Sequence, residues 1–255
     1  MQDLTFTSAA PKLRMPGATL VTRLKVYDTE TPDGQRGGTP HHHFMCTEMY
    51  FVLGGSGAVE MIDANGFSRV DLNLHSALIF SPGTIHRLIN PNGDLEILVI
   101  MQNSGLPERG DNVVCFSDEW LSSDEKFAEA MSVSTIEDAY QRRNRGVEGF
   151  LKLKAAFEES HEQGLAALTR YYALANARTA HLRTEWQDII SQGAQAEAER
   201  SKENLAALND NNIDFLMQAQ HYLIHVGDYD KLGFCGRLDR YFDPATLLPE
   251  GVKQD

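Results

Sequence analysis

The chain has 255 residues, 42% hydrophobic and 23% charged, enough for one large domain or two small ones with a real core. Its formal net charge of −13 argues against nucleic-acid binding through a basic face, because neutralising phosphates needs clustered Lys and Arg. Cys46, Cys115 and Cys235 are too few and too scattered for a disulfide framework, and no run approaches the roughly 20 apolar residues of a bilayer span.

Residues 1–16 lack a signal-peptide core, so a cytoplasmic protein with no membrane partner is expected. From residue 18 to about 116 the chain reads as short strands, over 19–27, 48–53, 58–63, 67–72, 77–80, 86–89 and 95–102. Between them lie a Gly- and Pro-rich stretch (31–40), Gly54-Gly55-Ser56-Gly57, and the pairs Asn65-Gly66 and Asn92-Gly93, whose residues tolerate positive φ. Strands at this spacing predict a sandwich or barrel rather than βαβ units.

After Ser117 the period changes. Helices are expected over 118–131 and 134–160. Leu168, Tyr172, Ala175, Thr179, Leu182, Trp186 and Ile189 then recur at alternating steps of four and three. This seam predicts helices packed on one another, on the barrel or across a dimer interface. Further helices are expected over 201–208 and 213–226, then an irregular tail. Arg142, Arg143 and Arg145 form the one dense basic run, read as a solvated helix face. The expected division is therefore a strand domain over 1–117 and a helical region over 118–255, serving as lid or oligomerisation arm.

The chemistry concentrates in His41-His42-His43, Glu48 and His86. His41 and His43 are two apart, so on a strand both rings leave one face, while His42 has the opposite parity. Glu48 and His86 bring the set to three neutral nitrogens and one anionic oxygen. Such a set suits a divalent first-row transition metal and poorly matches calcium or magnesium. His75 reads as a turn residue and Cys46 as a buried inert thiol. His221 and His225 share a helix face but lack the adjacent Glu of a zinc protease motif, and are expected to pack or face solvent.

These motifs resemble those of the cupin superfamily. His41, His43, Glu48 and Gly55 keep the spacing of its first motif, although Gln35 stands at the opening Gly. Gly83, His86 and Asn90 keep that of the second, with His75 and Ser81 at its first Gly and its Pro. The resemblance implies an all-β cupin barrel of the double-stranded β-helix (jelly-roll) type, here followed by an α-helical C-terminal region. It also implies a homodimer, and a bend between His43 and Glu48 that turns Glu48 inward. Tyr50 and Val52 would then line the pocket, with His86, Leu88 and Asn90 pointing inward together.

Four protein donors leave two positions open on a six-coordinate ion. The leading expectation is an iron- or manganese-dependent oxidoreductase, dioxygenase-like, acting on a small organic molecule. His41, His43, Glu48 and His86 would hold the metal, and Glu48 would double as proton acceptor. Tyr50, Asn90, Gln102 and Arg23 are candidate substrate contacts. Zinc, nickel or copper could also occupy the site; redox-silent zinc or nickel would suit a redox-neutral isomerase, epimerase or decarboxylase, and a non-enzymatic small-molecule sensor stays open.

Overall fold

A computed structural model describes residues 2–4, 15–219, 222–224, 226 and 228–241; His221 and His225 lie outside the described residues. In chain order the strands of the first half are β1 (Gln2–Leu4), β2 (Leu20–Val26), β3 (His41–His43), β4 (Glu48–Gly54), β5 (Gly57–Asp63), β6 (Gly66–Leu72), β7 (Ala77–Phe80), β8 (Ile85–Ile89), β9 (Glu96–Met101) and β10 (Asn112–Val114). Helices follow as α1 (Asp118–Leu121), α2 (Asp124–Met131), α3 (Ile136–Glu159), α4 (His161–Thr179), α5 (Arg183–Ile190) and α6 (Ala196–Asn209). The chain then returns to strands at β11 (Tyr222–Ile224), β12 (Asp228–Leu232) and β13 (Gly236–Arg240).

Two antiparallel sheets carry the fold, ordered β10-β3-β8-β5-β6 and β12-β13-β2-β9-β4-β7. Period-two patterning sets their inner faces. In β4, Glu48, Tyr50 and Val52 are buried, whereas Met49, Phe51 and Leu53 lie on the other side. β2 buries Leu20, Thr22, Leu24 and Val26, and β9 buries Ile97, Val99 and Met101. Facing them, Val59, Leu72 and Leu88 of the five-stranded sheet complete one core.

The outer face of the five-stranded sheet is not left to solvent. Ile62, Ile85 and Val113 pack there against Phe150 and Leu153 of α3 and Leu168, Tyr171 and Ala175 of α4. β8 is consequently buried at every residue, as a strand covered on both faces must be. Helix α3 starts at a capping box, with Thr135 Oγ1 accepting from Asp138 N–H while the Asp138 carboxylate accepts from Thr135 N–H. It approaches the sheet so closely at Gly149 that a Cβ there would overlap the Cys115 carbonyl oxygen.

The heptad seam lies on the core side. Leu168, Ala175, Thr179, Trp186 and Ile189 are buried, the last two against the inter-sheet core near Leu106. Helicity runs from α4 to α6, with a 3-10 turn at Ala180–Leu182 and a π turn at Ser191–Gln195.

Three sequence expectations change. The expected helix over 213–226 is a short 3-10 turn, Asp214–Gln218, followed by β11, which pairs in parallel with β1. Asn211, in the left-handed region at φ 55°, ends the preceding helix. The tail is not irregular through residue 240: β12 and β13 form a hairpin, and β13 adds to the edge of β2. Their charged alternation, as in Arg237-Leu238-Asp239-Arg240, hides the strand signal. Finally, Arg142 and Arg143 are buried rather than solvated. Arg143 donates to Thr29 O, Thr29 Oγ1, Gly37 O and Glu30 O, tying the 29–37 loop to α3.

Candidate metal centre

Both sheets contribute to one cluster. His41 and His43 come from β3, and His86 sits directly across from His41 in the β3–β8 register. Glu48 opens β4 in the other sheet, opposite Phe80 and Met101. The chain between His43 and Glu48 bends, and thereby rescues the inward direction that simple alternation would deny Glu48. All four side chains are buried, and one ligand atom from each lies within 4.8 Å of the others. Glu48 Oε2 is 3.4 Å from His43 Nε2 and 3.1 Å from His86 Nε2.

The outward nitrogen of each imidazole already has a partner. His41 Nδ1 lies 2.9 Å from Thr39 O, His86 Nδ1 2.9 Å from Thr84 O, and His43 Nδ1 3.1 Å from Asp111 Oδ2. Carbonyl and carboxylate oxygens only accept, so each Nδ1 carries the proton and each Nε2 offers its lone pair inward. Within the cluster, His43 Nε2, Glu48 Oε2 and His86 Nε2 are buried without a hydrogen-bond partner. Buried polar atoms are rarely left so, and these three, grouped with His41, fit a divalent transition metal. Donors around such an ion stand about 3 to 4 Å apart, so the observed spread needs only a small contraction.

Electrostatics favour an anionic Glu48. Burial alone would raise its pKa, but the surrounding His86 and His43 hold it well below the usual carboxylate range. Burial likewise opposes a charged His43, yet Asp111 and Glu48 outweigh it and raise its pKa to about 9, so a bound ion would displace a proton from His43 Nε2 in taking up that lone pair. His41, pressed by burial and by the other two imidazoles, is driven well below the normal histidine value. Phe80 stacks on His86, 4.5 Å between ring centroids and 8° from parallel, and so fixes the ring's tilt.

A cavity of about 400 Å³ opens onto the cluster, lined by His41, His43, Glu48 and Tyr50 and also by Glu108, Arg142 and the β12–β13 turn. Tyr50 is 1% exposed and its hydroxyl interacts with the Glu48 carboxylate and the Cys235 thiol. Burial and Glu48 raise its pKa well above the normal value, so it keeps its proton. Cys235 Sγ lies 3.8 Å from His41 Nδ1.

Other candidate contacts are elsewhere. Asn90 is buried but spends its amide on Val26 O and Leu95 N–H, closing a turn. Gln102 is exposed, with Oε1 accepting from Thr47 N–H. Arg23 pairs with Glu96 and Asp239 on the sheet. His42 turns away from the cluster to Tyr171 Oη, 2.9 Å distant, and His75 occupies a turn at φ 67°. Cys46 is buried, and burial, with Asp111 second, raises its thiol pKa far above normal. Sequence reasoning missed Asp111, Arg142 and Phe234, because none lies at a motif spacing and only the fold brings them near.

No protein-family model and no curated protein matches the chain. Among solved structures it is similar over about a third of its length to the nucleoside dehydratase Pac13, with 15% identity and a TM-score of 0.26. It is similar to WlaRA, a TDP-fucose-3,4-ketoisomerase from Campylobacter jejuni, over 32% of this chain (17%, 0.27), and to the DMSP lyase DddQ from Ruegeria pomeroyi over 33% (19%, 0.26). The chain spans 58% of the length of each of the first two and 38% of the third. At TM-scores this low none of their chemistry transfers.

Proposed function

We propose that this chain, whose two antiparallel sheets and four-residue donor set are of the cupin superfamily, is a mononuclear metal enzyme carrying out redox-neutral chemistry on a small organic molecule. Isomerisation, epimerisation and elimination are the reactions in view. The observation that carries the reading is Tyr50: a protonated phenol, shielded from solvent, beside the donor cluster in the same cavity. Such reactions need a group that gives or takes a proton at carbon or oxygen.

In this reading His41, His43, Glu48 and His86 hold the ion, which supplies Lewis acidity toward a substrate oxygen. Tyr50 Oη, which keeps its proton, donates it toward the substrate oxygen that gains charge, with the anionic Glu48 at its side. The walls formed by Leu24, Val99 and Met101 keep bulk water from the reacting carbon. Helices α3 and α4 back the sheet that bears three of the four donors, so their role is to hold the donors in place rather than to act as a lid.

A dioxygenase with iron or manganese is the second reading, favoured by the two coordination positions that four protein donors leave free. Cys235 argues for the first. A free thiol beside a ligand imidazole is exposed to oxidation wherever oxygen is activated.

Protein loaded in turn with zinc, nickel, manganese and iron, then incubated in D2O under argon with 2-hydroxy acids, 2-keto acids and sugars, tests the choice. The expected result is loss of a substrate C–H signal by proton NMR, supported by redox-silent zinc or nickel and abolished in Y50F with metal retained. Oxygen consumption that requires iron, with no exchange under argon, would favour the second reading.

A further inference from the structure

The described residues contain three buried arginines, and two of them are fully provided for. Arg87 lies between the Asp33 and Glu60 carboxylates, 2.5 and 2.8 Å away, and Arg143 meets four backbone or hydroxyl contacts. Arg142 is different. It is 7% exposed, its Nη2 donates to Gly233 O at 3.1 Å, and its guanidinium lies over the Phe234 ring, 4.3 Å from the centroid. Its Nε–H is buried without an acceptor, and among the described residues no carboxylate pairs with it. A buried cation without a counter-charge is costly, and a fold that keeps one commonly completes it with a ligand.

Its position gives the ligand's geometry. Arg142 lines the same cavity as the metal cluster. Phe234 relates the two: the guanidinium covers its face, while His41 meets the ring edge-on at 5.3 Å. A molecule in the cavity can therefore touch the cluster with one end and Arg142 with the other. Glu48, Glu108, Lys231 and Arg240 also line the cavity, so its acids are offset by cations, and a planar guanidinium edge matches a planar carboxylate.

We infer that Arg142 is the anion-binding subsite of this cavity, holding the carboxylate of a small organic acid whose reacting end lies at the metal cluster. The inference deepens the metal-enzyme reading above and rests on it for the second contact. Burial lowers the guanidinium pKa to about 10, which still leaves it charged at neutral pH.

Calorimetric titration of the full chain with the straight-chain dicarboxylates from malonate to adipate, each against its diamide, tests this in zinc-loaded and zinc-stripped protein. One dicarboxylate is expected to bind the loaded protein about tenfold or more tighter than its diamide. R142M should erase that preference with zinc content unchanged, and R142K should restore part of it. Stripping zinc should weaken binding but leave the dependence on Arg142. No preference for any dicarboxylate in the wild type, whatever the variants do, overturns the inference, as does tighter binding of inorganic phosphate. Failure of the wild type to take up zinc would instead sink the metal-centre reading, while the Arg142 dependence could still be read.

Discussion

Asp111 joins the metal cluster to the loop that follows it: Oδ2 lies 3.1 Å from His43 Nδ1, and Oδ1 accepts the backbone N–H of Met45 at 2.7 Å. His41 and His86 lean on neutral carbonyls, so His43 alone of the three imidazoles has a charged support. One carboxylate thus fixes both the tautomer of a ligand and the start of the bend that presents Glu48.

Replacing that charge should weaken metal binding without removing it. D111N is expected to lower metal affinity about 10- to 100-fold, the usual scale for such supporting groups. Competition with a fluorescent chelator measures it. An affinity equal to wild type would show that Asp111 serves only the loop.

The tie between the helices and the ligand strand is testable at Tyr171. Its hydroxyl lies 2.9 Å from His42 Nδ1 and 3.3 Å from both Val113 O and Val114 O. Y171F keeps the packing but strands a buried imidazole nitrogen, and should cost about 1 to 3 kcal/mol. Denaturant unfolding reads the loss; a midpoint within error of wild type would mean that the hydrogen bond contributes nothing net.

The Asp33–Arg87 pair gives a pH signature. Burial opposes the Asp33 carboxylate, but Thr31 Oγ1 and Arg87 outweigh it and lower its pKa to about 2. A carboxyl depressed in the folded state stabilises the fold fully above its unfolded pKa, near 3.8, and loses this as pH falls through about 2. The stability difference between wild type and D33N should therefore be constant at neutral pH and shrink between pH 4 and 2. A difference that persists unchanged at low pH would contradict the assignment.

The close approach of α3 to the sheet predicts a steric effect. In G149A the added methyl meets the Cys115 carbonyl, so the helix must shift. A loss of about 1 to 3 kcal/mol is expected, as for overpacking generally; a neutral effect in thermal unfolding would mean that the helix slides freely.

Much of this was legible in the residues. His41, His43, Glu48 and His86 could be grouped from spacing, and the parity of Tyr50 and Val52 followed once a bend was placed before Glu48. Asn90 and Gln102 were not at the cavity, because parity gives a face of a strand and not what a side chain finds there. The basic run misled for a related reason. Charge alone suggests solvent, but helix α3 lies between a sheet and two loops, and its arginines satisfy backbone carbonyls there. The β12–β13 hairpin was hidden because its order comes from the edge of β2, a partner more than two hundred residues away in sequence.

The most direct test is metal stoichiometry. Elemental analysis of purified wild type, H86A and E48Q, each dialysed against one equivalent of zinc, nickel, iron or manganese, should find close to one ion per chain in wild type and a large loss in both variants. Equal metal retention by all three proteins, or none in the wild type with any of the ions, would contradict the account.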